Sequence, residues 1–450
     1  MCKILYYIME FSSAHGSIFS SPIPVTMLLE SFLINMTGRS VMFINALFYY
    51  IVMKTLHDAD SILDRLLTKK YEINITLAIL IIATAGAFLQ IGGGSWDITS
   101  HIMQESETFF TPSHTVLYTG VGLLTAAAVI GGVLLIKNKE LKGKSYATAF
   151  KLLIIGTAIS VVAGPSDFLW HETFGVDGLL SPPHLALITG MLINAVAVVI
   201  GLARIIVHIP STKQRLIKFA MIPAFAALWF TTIWYVYMFS LPFSSGENFQ
   251  FNLNPSIAAI IAVIALPLLS SIIFLTASKT IGRFGAASAV TVLVIGVNVF
   301  ANIVPTDGMM ISLLPWYLIM AIIPAVTADI ILNNSTIKSK LGVGESELIA
   351  GAMLGSTFYI FNYPILVWAF ATPLDMELAN LQGIEAVSIL TSDFLSTLPT
   401  ALAITLVLGA LMGMVGAYLS KKIVIPSSSS LTSLSHSSLL SQEEKSARTG

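Results

Sequence analysis

The chain has few charged residues and almost no cysteine. Charged side chains make up only 10% of its 450 residues, whereas 55% are hydrophobic. This balance excludes a soluble enzyme, in which about a quarter of the residues are charged. A net charge of −1 argues against a nucleic-acid partner, which needs a basic surface. The single cysteine, Cys2, excludes an internal disulfide and any cysteine-rich zinc or iron–sulfur site.

The chain contains many long apolar segments. A run of roughly 20 apolar residues is long enough to cross a bilayer as a helix. Ten such spans are predicted, at about 72–93, 114–136, 147–166, 183–207, 216–241, 256–277, 285–304, 309–332, 347–371 and 398–420. We therefore expect an all-α polytopic bundle of about 10 to 12 transmembrane helices.

Lysine and arginine are absent from every second loop between these spans. The loops without them are 94–113, 167–182, 242–255, 305–308 and 372–397, and basic clusters occupy the alternate ones. Basic loops stay on the cytoplasmic side of a membrane. The pattern predicts a multi-pass protein of the plasma membrane with its C-terminus in the cytoplasm.

Four regions are predicted along the chain. They are an N-terminal membrane-associated segment (1–71), a duplicated metal-binding four-helix module (72–207), a six-helix transmembrane region (208–425) and a disordered cytoplasmic tail (426–450). The tail is rich in serine and has too little apolar mass to fold alone. Residues 1–71 are compatible with a short hairpin, one further span or an interfacial piece.

The pattern Asp-x3-His-x12-His occurs twice in the four-helix module, 70 residues apart, and holds half of the eight histidines. We call the two sets the first triad (Asp97, His101, His114) and the second triad (Asp167, His171, His184). Further matches at the same offset are Glu107 with Asp177, Thr111 with Ser181, Pro112 with Pro182, Thr119 with Thr189 and Gly120 with Gly190. This is a parallel duplication of a helix–loop–helix unit.

Each triad contains the residue types that bind divalent transition metals. Asp and His four residues apart share one helix face, and the last His follows a loop. Thr111–Pro112 and Ser181–Pro182 are typical N-cap and first-turn pairs, so they predict the start of the returning helices. Gly92–Gly94 and Gly164–Pro165 are predicted to break the chain before each Asp. Imidazole and carboxylate suit copper, non-haem iron and zinc.

Other roles compete with metal binding for these residues. The histidines could be ordinary polar surface residues or loop anchors, or they could relay protons. Glu107 and Asp177 could be extra ligands, acceptors that fix an imidazole tautomer, or solvated charges. In the six-helix region, Asn298, Asn302 and Asp329 are predicted to form interhelical hydrogen bonds, with a network beneath the metal units as the alternative.

The triads resemble the intramembrane metal site of the C subunit of membrane-bound copper monooxygenases, the particulate methane and ammonia monooxygenases. Both sets match that site in residue type and spacing, over roughly residues 94–190. In the family the second set has Asn in place of Asp167 and one more residue before the last His. The resemblance implies copper on the extracytoplasmic side, partner membrane subunits and oxidation of a small apolar substrate with dioxygen.

The sequence thus predicts a membrane metalloprotein, with copper favoured over iron or zinc, and leaves open whether it is an enzyme. The favoured function is oxidative and monooxygenase-like, alone or as a subunit. The alternative is a cation- or proton-coupled transporter whose outer vestibule is lined by Asp and His. A metal-dependent hydrolase, with Glu107 or Asp177 as its base, is a third hypothesis.

Overall fold

The computed structural model describes residues 72–102, 108–174, 180–240, 255–303, 314–361 and 405–423. All of them belong to one compact unit, Lys69–Gly450. The predictions for 1–71, for the 426–450 tail, and for Glu107 and Asp177 lie outside the described residues.

The described residues form eleven α-helices and no strand. The helices of the four-helix module are α1 (Glu72–Ile102), α2 (Pro112–Lys137), α3 (Ala147–Phe174) and α4 (Pro182–Ile205). Those of the six-helix region are α5 (Ser211–Ser240), α6 (Pro255–Ile281), α7 (Ala286–Asn298), α8 (Leu314–Asn333), α9 (Ser335–Leu341), α10 (Val343–Phe361) and α11 (405–422). The five-residue π-helix Val299–Ile303 continues α7, and short 3-10 turns follow α2 and α4.

Each of the ten predicted spans corresponds to one of these helices, and the short α9 is the addition. Seven of the described helices are long and apolar enough to cross a membrane. The predicted class, an all-α polytopic membrane bundle, is therefore confirmed.

The duplication is visible in how the helices pack. Helix α1 pairs with α2 and α3 pairs with α4, and each pair crosses at glycines that are 70 residues apart in sequence. A Cβ on Gly120 would lie 2.7 Å from the Gly86 carbonyl oxygen, and one on Gly190 would lie 2.8 Å from that of Gly156. Small residues allow such close backbone approach in membranes. The two units therefore have the same helical-hairpin architecture.

The returning helices begin where the sequence predicts. Helix α2 starts at Pro112 after the N-cap Thr111, and α4 starts at Pro182 after the N-cap Ser181. The Ser181 hydroxyl accepts the backbone N–H of His184 at 3.3 Å, which satisfies one free donor of the first turn. These two starts fix where His114 and His184 lie.

The predicted breaks before the two Asp residues are wrong. Helix α1 runs unbroken through Gly92–Gly94, and α3 runs unbroken through Gly164–Pro165. Part of the reason is packing: a Cβ on Gly93 would come within 2.6 Å of the Leu117 Cα. That glycine lets α2 approach α1 closely.

A cluster of hydrogen-bonded polar residues lies at the end of the four-helix module that is opposite the triads. The Tyr146 hydroxyl donates to Glu72 Oε1 at 2.8 Å, and the Asn138 amide donates to Glu72 Oε2 at 3.1 Å. Burial, and then the hydrogen bond to Glu72, raise the pKa of the Tyr146 phenol well above its ordinary value. The phenol therefore stays protonated and joins the α2–α3 connection to the start of α1.

Candidate metal centre

The second triad is assembled from two helices. Asp167 and His171 lie one turn apart near the end of α3, and His184 lies in the first turn of α4. Because residues four apart share a helix face, both α3 side chains point to the same side. The Ser181 cap holds the first turn of α4 and brings His184 to that side.

The ligand atoms of this triad converge. Asp167 Oδ1 lies 3.1 Å from His184 Nε2 and 3.7 Å from His171 Nε2. One ligand atom from each of the three residues lies within 4.8 Å of the others. For comparison, neighbouring ligand atoms that share one metal ion through bonds of about 2.0–2.2 Å lie roughly 3–3.6 Å apart. The three side chains are only 8–13% exposed, so bulk water reaches them poorly.

The first triad has a similar arrangement between α1 and α2. Asp97 Oδ1 lies 2.9 Å from His114 Nε2, and both side chains are buried. The other ring nitrogen, Nδ1, lies 3.0 Å from the Thr108 carbonyl oxygen. A carbonyl can only accept, so Nδ1 carries the proton and Nε2 faces the carboxyl group. A backbone carbonyl often orients metal-binding imidazoles in this way.

The two triads differ in their surroundings. The Ser113 hydroxyl donates to Asp97 Oδ1 at 3.2 Å, whereas the equivalent position in the second unit is Pro183, which has no hydroxyl. The His114 ring stacks on Tyr118 with 5.6 Å between centroids, and the equivalent of Tyr118 is Ile188. The duplication therefore kept the ligand types and changed their neighbours.

An apolar cavity of about 70 Å³ touches both units. Asp97 of the first triad and His184 of the second lie in its wall. Most of the remaining wall is apolar side chains of α4 and α5, among them Met191, Phe230 and Trp234. A small molecule in this cavity would contact residues of both triads.

The structure thus brings together all three residues of the second triad, and Asp97 with His114 of the first. His101 lies one turn after Asp97 in α1, and its side chain lies outside the described part. Sequence reasoning missed Ser113 and the Thr108 carbonyl. Ser113 breaks the repeat, and a carbonyl acceptor leaves no signal in residue type.

Fold and site together define an integral membrane protein with a duplicated Asp/His module. Comparisons with known protein families, with curated proteins and with solved structures find no match. Its function therefore has to be inferred from the site.

Proposed function

We propose that this chain is an integral membrane metalloprotein that binds a transition metal at the second triad and another at the first. The observation that carries the proposal is the convergence of the second triad's ligand atoms within 4.8 Å. Two imidazole nitrogens and a carboxylate oxygen face one another in this buried cluster. A divalent cation is the partner that matches this donor set.

Copper is the favoured metal. Imidazole nitrogen binds copper more tightly than the other divalent first-row metals, and the spacing of both triads resembles that of the copper monooxygenase C subunit. Iron and zinc accept the same donors and are the alternatives. Copper on the extracytoplasmic side agrees with the lack of Lys and Arg in loops 94–113 and 167–182.

The oxidative part of the proposal is supported by the cavity. Bound copper supplies redox chemistry, and the residues around it determine which molecules reach it. The cavity wall offers mainly apolar contacts next to Asp97 and His184, which favours a small apolar substrate over a charged one. The resemblance adds partner membrane subunits to this part of the proposal.

Metal content tests the proposal. Wild-type protein purified in detergent should carry up to two equivalents of copper by mass spectrometry. The double variant His171→Ala/His184→Ala should retain at most one, because it keeps only the first triad. Replacing His101 as well as His171 should remove most of the metal. The matched control is His208→Ala, since His208 lies in the 3-10 turn after α4, away from both triads. This variant should leave the copper content unchanged.

Unchanged copper content in both double variants would overturn the proposal. A second experiment distinguishes a transporter from an oxidative enzyme. Metal-dependent uptake into proteoliposomes without oxidation of any substrate would favour the transporter, with the triads as its cation-selecting vestibule. Oxidation that depends on both triads would favour the monooxygenase-like function.

A further inference from the structure

The last turns of α1 are hydrogen-bonded to the six-helix region, chiefly through the side chain of Asn302. The Thr99 hydroxyl donates to Asn302 Oδ1 at 2.7 Å, and the Ser95 hydroxyl donates to the same oxygen at 3.4 Å. Ser95 also lies 3.5 Å from Asn298 Oδ1. All but Asn298 of these residues are at most 5% exposed. Buried polar groups are stable only when paired, so these bonds hold α1 in one orientation.

The partner segment is the π-helical turn Val299–Ile303. Its Phe300 packs edge-on against Trp96 of α1, with 5.7 Å between the ring centroids. A π-helical turn is rare and is frequent at functional sites. Here it carries the one asparagine that both α1 hydroxyls reach.

Asp97 lies between the two anchoring residues in sequence and faces the other way. Each residue of an α-helix turns by about 100°, so Asp97 lies roughly 160° around the helix from both Ser95 and Thr99. One side of α1 is thus fixed by Asn302 while the other presents Asp97 to Ser113 and His114. A rotation of α1 would move this carboxyl group away from His114.

Among the described residues, α3 has no such anchor beside the second triad. The positions equivalent to Ser95 and Thr99 are Pro165 and Leu169, which carry no hydroxyl. The Leu169 side chain is 63% exposed, whereas Thr99 is 3% exposed. The contact with the six-helix region therefore distinguishes the first triad from the second.

We infer that Asn302 is a positioning residue for the first triad, which makes the metal affinity and geometry of that site depend on the six-helix region. The inference rests on the proposed function of the first triad. Outer hydrogen-bond partners of metal ligands typically change metal affinity about 10- to 100-fold when removed. We expect the anchor to act at the lower end of that range, because it acts through the helix rather than on a ligand.

The test uses the His171→Ala/His184→Ala protein, in which only the first triad is intact. In that background Thr99→Val removes the hydroxyl and keeps the shape, and Thr99→Ser restores the hydroxyl. We expect Thr99→Val to weaken Cu(II) binding about 10-fold and to shift the copper hyperfine splitting in electron paramagnetic resonance. Thr99→Ser should behave like the background. The control is Thr84→Val in the same helix, whose hydroxyl donates to the Leu80 carbonyl of that helix at 2.7 Å.

The possible outcomes distinguish a failure of the Asn302 inference from a failure of the proposed copper binding. If the background protein binds no copper, the first triad is not a copper site and both ideas fail there. If it binds copper and Thr99→Val leaves affinity and spectrum unchanged, the inference is overturned and the proposed function stands. Should Thr99→Val lose its helical circular dichroism, Ser95→Ala in the same background gives the same comparison with a smaller expected loss.

Discussion

At the scale of single residues, Asp329 shows how this chain pairs polar groups in apolar surroundings. It lies in α8, is completely buried, and accepts hydrogen bonds at the start of α7. Its Oδ2 accepts the backbone N–H and the hydroxyl of Ser288 at 2.8 and 2.7 Å, and Oδ1 accepts the N–H of Ala287 at 3.3 Å. The first N–H groups of a helix have no partner within the helix. Asp329 supplies that partner from another helix, which agrees with the predicted interhelical role.

We therefore expect Asp329→Ala to destabilise the protein by about 2–4 kcal/mol, because several buried donors lose their acceptor at once. Thermal unfolding in detergent, followed by circular dichroism, measures the change. Ser288→Ala is the matched comparison, since it removes one hydroxyl bond and should cost about 1 kcal/mol. Equal stability of Asp329→Ala and wild type would show that the α7 start does not depend on this carboxyl group.

The ligand residues could be predicted at this scale because their spacing has a direct geometric meaning. Asp167 and His171 share a face since four residues make about one helical turn, and the serine–proline pair places His184. The hydrogen-bond partners around the ligands could be predicted only in part. Thr108 contributes its backbone carbonyl, which leaves no signal in residue type. The sequence predicts that Asn302 forms interhelical hydrogen bonds, but it does not indicate that the partner is Thr99, 203 residues away in sequence.

At the scale of helices, the glycine crossings of the two hairpins determine how closely the helices approach. In the α1–α2 pair, a Cβ on Gly120 would meet the Gln90 backbone nitrogen at 2.7 Å as well as the Gly86 carbonyl. A third crossing of this kind joins α10 and α11, where a Cβ on Gly409 would lie 2.7 Å from the Gly355 carbonyl oxygen. Helices in lipid gain association energy from such packing.

Two glycines of α2 provide a matched test of the first crossing. Gly120→Ala should cost about 1–3 kcal/mol because the new methyl group forces the helices apart. Gly122→Ala, two residues further along, meets no atom within 4 Å and should be neutral or stabilising, since alanine is the better helix former. Resistance to unfolding by sodium dodecyl sulfate compares the two. If both variants behave alike, the two helices are packed less closely at this crossing than the 2.7 Å distances indicate.

At the scale of the whole molecule, both triads lie at the same end of the four-helix module, because Asp97 and His184 line one cavity. Labelling from outside the cell tests whether this end faces the extracytoplasmic side of the membrane. In a Cys2→Ser background, a cysteine at the exposed Phe110 should react with a membrane-impermeant maleimide in intact cells. A cysteine at the exposed Lys139 should react only after lysis. Basic loops are retained in the cytoplasm, which gives the expected order. Labelling in the reverse order would place the triads on the cytoplasmic side.

The class of the protein, the positions of the described helices and the residues of the triads follow from the sequence alone. These properties depend on local quantities, namely the apolar length needed to cross a bilayer, the helical repeat and the chemistry of helix starts. Packing between helices was needed to show that α1 and α3 pass unbroken through their glycines, that Asp97 and His184 share a cavity, and that Asn302 accepts hydrogen bonds from α1. Each of these depends on contacts between helices distant in sequence, and residue type and spacing do not indicate which residues of two distant helices meet.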